Sequence, residues 1–254
     1  MVVGPAVRAG SVPTMALEAS SLKPLPDDWS RALAVVAHPD DMEYGAASAV
    51  ARWTRSGKEV AYVMVTRGEA GISDMPPSEV GPIRAAEQRA SCDRVGVSRL
   101  EFLDHPDGLV VCDLALRRDL AEVIRRHRPE IVLSINFRES FGGPSWNHAD
   151  HRAVGVALLD AVRDAANPWV FGDAGAPWGG VRFVAFGGSP MATHFVALDE
   201  DDLRAGIESL AEHRIYLEHL GGDMADPGSF LPRFAEQAGT AAGVPLATTF
   251  EVIG

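Results

Sequence analysis

The apolar positions of this chain follow two alternating patterns. Short apolar runs rich in β-branched residues predict buried strands, and longer stretches with apolar residues three or four apart predict helices. The predicted strands are 32–37, 60–65, 100–103, 131–135, 181–186, 193–198 and 248–253. The predicted helices are 45–55, 82–95, 114–127, 150–166, 201–220 and 230–238. Because strands and helices alternate, the pattern predicts an α/β sandwich with a largely parallel sheet.

The pattern also predicts one folded domain that follows an N-terminal tail. Residues 1 to about 27 are rich in Gly, Ala, Ser and Pro without a sustained period, so we expect a mobile tail there. Residues 28–254 are expected to form a single domain, as α/β folds of this length often do. Residues 72–82 are expected to be a loop that could act as a lid, and His213 and His219 are expected on the surface.

The first long strand ends in a cluster of polar residues. The apolar run 33–36 leads into His38, Pro39, Asp40 and Asp41. Open α/β sheets bind ligands in the crevice at the carboxyl ends of their strands, which is where these residues would lie. Imidazole and carboxylate groups suit a metal such as zinc, and of two adjacent carboxylates one could bind the ion while the other moves a proton. The alternative is that the cluster only ends the strand and caps the next helix.

A second cluster lies far downstream and has similar chemistry. His148 and His151 stand three positions apart with Asp150 between them, shortly after the predicted strand 131–135. A single histidine pair of this kind is more often a surface feature. Two such clusters, each following a predicted strand, indicate a metal site assembled from separate loops.

Together, the two clusters resemble the signatures of the LmbE/PIG-L family of zinc-dependent sugar N-deacetylases. The family's Ala-His-Pro-Asp-Asp-Glu motif is similar to residues 37–43, with one residue inserted before Glu43, whose role stays open. Its His-Pro-Asp-His motif is similar to residues 148–151, with alanine in place of proline. The resemblance covers about residues 33–166. It implies a Rossmann-like three-layer sandwich that removes the N-acetyl group from an N-acetylglucosamine-containing small molecule, such as a thiol precursor, a glycoside or an antibiotic intermediate.

The resemblance implies roles for the residues of both clusters. His38, Asp41 and His151 are expected to bind one Zn²⁺, and Fe²⁺ is an alternative ion for the same ligands. Asp40 is expected to take the proton from the attacking water and to return it to the departing amine. His148, if protonated, is expected to stabilise the oxyanion.

Four further residues are expected around these ligands and the substrate. Asp150 is expected to orient one of the histidines. The resemblance implies that Arg84 reaches the substrate, and the alternative is a surface pair with Glu87. Asp107 is the candidate for holding sugar hydroxyls, with an ordinary Pro-Asp-Gly turn as the alternative. Glu69 could contact a sugar hydroxyl or a neighbouring basic group, or could be a solvated turn residue.

Composition and charge limit the classes of binding partner that this protein is expected to have. The net charge of −12 argues against a nucleic-acid or anionic-membrane partner. The only cysteines, Cys92 and Cys112, form no CxxC pair, so the sequence indicates neither a disulfide framework nor a thiolate zinc site and fits a reduced cytoplasm. No apolar run approaches the ~20 residues that span a bilayer. The oligomeric state stays open, and a homo-oligomer is compatible with the sequence.

Two other functions stay open at this point. One is an amidase of the same fold that cleaves a thiol conjugate, and the other is a sugar- or metal-binding protein without activity. The intact Asp40 argues against the second of these, because a binding site has no need for a spare carboxylate.

Overall fold

The structure is a computed structural model that describes residues 22–144 and 146–254. Most of the predicted tail, residues 1–21, therefore lies outside the described residues. Its last part belongs to the fold, because Lys23–Pro24 forms a strand that pairs with a later one and Leu25 is buried. The tail prediction differs from the structure at these positions.

One mixed sheet forms the centre of the described part of the chain. Its strands are β1 (Lys23–Pro24), β2 (Arg31–Val36), β3 (Glu59–Met64), β4 (Arg99–Phe102), β5 (Ile131–Ile135), β6 (Phe183–Gly187), β7 (His194–Ala197) and β8 (Ala247–Ile253). Their order is β1-β7-β8-β6-β5-β2-β3-β4. Only β8 runs antiparallel to its neighbours. The prediction of a largely parallel sheet is confirmed.

Helices cover both faces of this sheet. In the described residues they are α1 (Asp41–Gly45), α2 (Ala47–Arg55), α3 (Pro77–Arg94), α4 (Leu114–His127), α5 (Ala149–Ala166), α6 (Glu200–Ala211), α7 (Arg214–Leu220) and α8 (Pro227–Ala242). Ala34 of β2 faces a core that includes α2, α3 and α8, whereas Leu33 faces a second core with α4 and α5. Successive strand residues point to opposite faces, so the apolar run of β2 is buried on both sides. The predicted α/β sandwich is confirmed.

Several predicted boundaries differ from the structure, and two of these differences concern the start of α3 and the division between α6 and α7. Helix α3 begins at Pro77, inside the region 72–82 that was predicted to be a loop, because proline is tolerated in the first helical turn where its missing N–H needs no partner. The helix predicted over 201–220 is divided into α6 and α7. His213 stands at this division and is fully buried, so its predicted surface position is wrong, while His219 is exposed.

The connection of the strands places both predicted clusters at one crevice. From β2 the chain passes through β3 and β4 on one side and returns to β5 on the other side of β2, with Leu33 opposite Val132. Loops that leave two such strands diverge and open a crevice in which ligands bind. His38 follows β2 and His148 follows β5, so both border it. No helix in the described part of the chain has the length and apolarity of a membrane span.

Helix α6 packs tightly against α2 at Gly206, which yields a test of the fold. A β-carbon on Gly206 would lie 3.0 Å from the Ser48 nitrogen and 3.2 Å from the Ser48 α-carbon. Gly206→Ala is therefore expected to lower the free energy of unfolding by about 1–3 kcal/mol, as overpacking typically does. Urea unfolding measures this change. Gly179→Ala is the control, because its β-carbon would meet Ala166 at an ordinary 3.5 Å. Equal stability of both variants would contradict the close helix contact.

Candidate metal centre

The turn after β2 holds Asp40 in a strained backbone conformation. Its φ of 82° is left-handed, which costs a residue with a side chain roughly 1–2 kcal/mol. Helix α3 supports this turn at two points. Arg84 Nη2 donates to Asp40 Oδ2 at 2.6 Å and to the Pro39 carbonyl at 2.7 Å. The Asp40 N–H donates to Gln88 Oε1 at 3.0 Å, so both ends of Asp40 are fixed by one helix.

His38 uses one ring nitrogen as a hydrogen-bond donor to carboxylates and directs the other towards His151. Its Nε2 lies 3.0 Å from Asp107 Oδ1 and 3.1 Å from Asp150 Oδ2. Carboxylates accept hydrogen bonds, so Nε2 carries a proton. The Asp150 carboxylate is itself fixed, because it accepts from the N–H groups of Gly108 and Val110. The lone pair of neutral His38 is therefore at Nδ1.

The side-chain amide of Asn147 determines the tautomer of His151. Its Nδ2 donates to the carbonyls of Asn136 at 2.7 Å and Arg138 at 2.8 Å. Its Oδ1 faces the other way and accepts from the His148 N–H and from His151 Nδ1, both at 2.8 Å. Nδ1 of His151 is therefore protonated, and Nε2 presents the lone pair.

Three potential ligand atoms converge on one point. His38 Nδ1 and His151 Nε2 lie 3.1 Å apart, and Asp41 places Oδ1 3.0 Å from His151 Nε2 and Oδ2 3.6 Å from His38 Nδ1. Ligands of a tetrahedral zinc ion, at about 2.0–2.2 Å from the metal, lie roughly 3.3–3.5 Å apart. Two imidazole lone pairs at this distance repel unless a proton or cation separates them. The geometry and the donor chemistry therefore fit a metal ion.

Within residues 22–144 and 146–254, two other groups of side chains come close enough to be ligand sets. They are His38 with His148 and His151, and His38 with Asp107 and Asp150. His148 Nδ1 accepts from the Asp150 N–H at 3.2 Å, so neutral His148 presents an Nε2–H donor instead of a lone pair. Asp107 and Asp150 already accept from His38 Nε2. Asp41 is therefore the better third partner for the two histidines.

The charges of the cluster shift the pKa values of its members. Burial lowers the pKa of His38, but neighbouring carboxylates, led by Asp41, raise it well above its usual value. Burial raises the pKa of Asp40 to about 6, although Arg84 opposes that shift. Burial also raises the pKa of Asp41, but the nearby histidines lower it far more. Burial lowers the pKa of His148. A buried carboxyl group with a raised pKa beside an ionised carboxylate is often found at catalytic sites.

The three residues predicted to bind substrate lie around this cluster. Arg84 is only 2% exposed and contacts Asp40. Asp107 contacts His38, and Glu69 Oε1 accepts a hydrogen bond from the Asp107 N–H at 2.9 Å. These contacts tie the loops of the site together. A contact between any of the three and substrate stays a prediction.

Sequence reasoning assigned no role to three residues that the structure places at the site. Asn147 stands directly before His148, so the motif itself offered a signal. Gln88 lies four positions after Arg84, on the same face of α3, and a polar stripe on one helix face could have indicated it. Tyr216 of α7 stacks on the Arg84 guanidinium at 3.9 Å from the ring centre. No sequence pattern connects Tyr216 with the motifs.

Curated relatives and solved structures resemble this chain. Diacetylchitobiose deacetylase of Thermococcus kodakarensis is 31% identical over 144 residues, which are 56% of this chain and 52% of that protein. The 1D-myo-inositol 2-acetamido-2-deoxy-alpha-D-glucopyranoside deacetylase of Kineococcus radiotolerans is 30% identical over 195 residues, 63% of this chain and 52% of that protein. The chain thus spans about half the length of these curated relatives.

The fold is shared with solved structures of more than one activity. N,N'-diacetylchitobiose deacetylase from Pyrococcus horikoshii superposes with a TM-score of 0.79 at 23% identity, covering 89% of this chain and 84% of that one. GalB, a 4-carboxy-2-hydroxymuconate hydratase from Pseudomonas putida, gives 0.67 at 20% identity, covering 89% and 96%. Such likeness shows the fold, which does not by itself determine an activity.

The family described as PIG-L, GlcNAc-PI de-N-acetylase, matches residues 33–162. This segment contains most of β2, all of β3 to β5, both motif loops and most of α5. It makes up slightly more than half of the sequence, and the chain therefore belongs to the PIG-L family.

Proposed function

We propose that this protein is a metal-dependent hydrolase that removes the N-acetyl group from an N-acetylglucosamine-containing small molecule. The products are acetate and a free amine. The proposal depends on one observation, the convergence of His38 Nδ1, His151 Nε2 and Asp41 beside the carboxylate of Asp40. The relatives support the substrate class, because they are named as deacetylases of diacetylchitobiose and of an acetamido-glucopyranoside.

The metal we assign to the three residues is Zn²⁺. Two imidazoles and one carboxylate are a common ligand set of catalytic zinc sites, and Fe²⁺ can take the same ligands. Zinc bound there supplies Lewis acidity, which polarises an acetamide carbonyl and lowers the pKa of water. The hydrogen bonds of His38 Nε2 and His151 Nδ1 keep the opposite nitrogens available to it.

Asp40 is assigned the proton transfers. Arg84 holds its Oδ2, and a pKa of about 6 leaves the carboxylate ionised at neutral pH, ready to accept a proton from the attacking water. As the carbon–nitrogen bond breaks, Asp40 returns that proton to the amine nitrogen. His148 is assigned the hydrogen bond to the developing oxyanion, because its neutral ring keeps an Nε2–H that can donate. One such donor stabilises the transition state by about 3 kcal/mol.

Charge and cysteine content support a class of substrate and a cellular compartment. The charge of −12 supports a small-molecule substrate over nucleic acid, and two free cysteines support a cytoplasmic protein.

Turnover by the zinc-loaded protein tests the proposal directly. A panel of N-acetylglucosaminides is compared with amides of thiol conjugates, and acetate and primary amine are both measured. Equal release of acetate and amine from the sugars supports deacetylation. Cleavage of the thiol conjugates alone would favour an amidase, and binding without turnover would favour a sugar-binding protein.

Zinc content tests the ligand set. His151→Ala is expected to lose bound zinc on dialysis, because it removes one of three ligands. His148→Ala is the matched control, and it is expected to retain zinc while turnover falls. Metal analysis by mass spectrometry measures both, and equal zinc retention in the two variants would contradict the assigned ligands.

The role of Asp40 is tested by a change that keeps its shape. Asp40→Asn is expected to retain zinc but to lower turnover about 10²- to 10⁴-fold, because it removes the proton acceptor. Asp201→Asn changes an exposed aspartate on α6 and is expected to keep wild-type turnover. Undiminished turnover in folded, zinc-loaded Asp40→Asn would refute the assigned base.

The raised pKa of His38 predicts how metal and pH act on stability. In metal-free protein, protonated His38 contributes stability that is fully present below its ordinary pKa of 6.5 and is lost as pH rises through the raised value. Zinc occupies the proton's place, so the gain in Tm on adding zinc is expected to be larger near pH 8 than near pH 6. Thermal unfolding in chelator and in zinc measures this gain. A gain independent of pH would contradict the prediction.

A further inference from the structure

A series of buried hydrogen bonds connects the Asp40 backbone with the protein interior. The Asp40 N–H donates to Gln88 Oε1 at 3.0 Å, and Gln88 Nε2 donates to Glu43 Oε1 at 2.9 Å. Ser91 Oγ donates to the same Glu43 oxygen at 2.6 Å. Gln88 is 0% exposed and Glu43 is 1% exposed, so bulk water does not replace these partners. An unbroken series of hydrogen bonds therefore links the Asp40 N–H to the Glu43 carboxylate through Gln88.

Glu43 determines which way the side-chain amide of Gln88 points. An amide has a donor end and an acceptor end of nearly the same shape. A carboxylate only accepts, so the Nε2 end of Gln88 faces Glu43 and the Oε1 end faces the Asp40 N–H. The reversed amide would place two acceptors opposite each other at Glu43 and two donors opposite each other at Asp40. Both contacts would be buried and unsatisfied.

The orientation of Gln88 matters because the Asp40 backbone is strained. Residues other than glycine hold a left-handed conformation only where their surroundings favour it. Gln88 anchors the Asp40 N–H, and Arg84 anchors the Asp40 carboxylate from one turn earlier on α3. With one anchor lost, the carboxylate could rotate with its backbone away from the crevice.

We infer that Glu43 is a positioning residue, which acts through Gln88 to hold the Asp40 backbone and so the direction of the Asp40 carboxylate. It does not touch the reacting groups in this role. The inference rests on the proposed function, since it matters for turnover only if Asp40 transfers the proton. It gives a role to Glu43, the motif residue whose role the sequence left open.

Exchanging the two side chains tests this role. Gln88→Glu places two carboxylates opposite each other and is expected to lower kcat about tenfold to a hundredfold with little change in KM, as misplacement of a reacting group by about 1 Å can. Adding Glu43→Gln supplies an amide N–H to the new carboxylate, which then accepts from both sides. The double variant is therefore expected to recover most of kcat. Glu43→Gln alone is expected to cause a smaller loss, because its amide oxygen can still accept from Gln88.

Zinc content, Tm and crystal structures separate a positioning role from general instability. Zinc content and Tm establish that each variant is folded and loaded. In the crystal structure of Gln88→Glu, the Asp40 backbone is expected to lie outside the left-handed region of φ/ψ space. In that of the double variant, it is expected to lie in this region again. Asp164→Asn is the matched control, because Asp164 is a buried carboxylate that pairs with Arg117 near the other end of α5. Its kcat is expected to equal that of the wild type.

The outcomes are distinct. Wild-type kcat in folded, zinc-loaded Gln88→Glu, or a double variant no better than Gln88→Glu, overturns the role of Glu43. If Gln88→Glu does not fold, Gln88→Met replaces it, because it removes the acceptor without adding charge. Wild-type kcat in Gln88→Met then overturns the role. A wild-type protein inactive on every acetamido sugar would contradict the proposed function instead, while the Asp40 backbone in the crystal structures would still report on Glu43.

Discussion

The candidate site depends on the hydrogen bond that each histidine donates on the side away from the cluster. His38 donates from Nε2 to Asp107 and Asp150, and His151 donates from Nδ1 to Asn147. Each bond determines a tautomer, and together they direct two lone pairs to one point. The Asp41 carboxylate can act as a third ligand only because the two imidazole lone pairs converge beside it. The proposed metal site therefore depends on residues that lie behind the candidate ligands.

Helix α3 supplies the support that the motif loops lack. Arg84 and Gln88 hold the two ends of Asp40, and Tyr216 stacks on Arg84 from α7. The buried face of α3 is accordingly polar where it meets the turn after β2, and it is stabilised by paired hydrogen bonds instead of apolar contact. A strained turn that is held from outside its own loop is fixed in one conformation, which the proton-transfer role proposed for Asp40 requires.

The fold was predictable where one pattern dominated. Strand 131–135 and helix 114–127 agree with the structure at both ends, because an unbroken apolar run and a regular helical period leave little alternative. The pattern over 201–220 continues across the division between α6 and α7, so His213 was placed outside. The members of both motifs could be expected in one crevice, because strand ends meet there. The contact of Gln88 with Asp40 could not be predicted, because polar packing between distant elements leaves no periodic signal in the sequence.

The pairing of β2 with β5 has a consequence for any change in the sheet. Leu33 stands opposite Val132. The loop that carries His38 begins a few residues after Leu33, and the loop that leads to His151 at the start of α5 begins a few residues after Val132. A slip of one residue between these strands would displace one loop against the other by about 3.3 Å, which is as large as the gap between the two imidazole nitrogens. The register of the central ladder therefore sets the distance between the two loops of the candidate site.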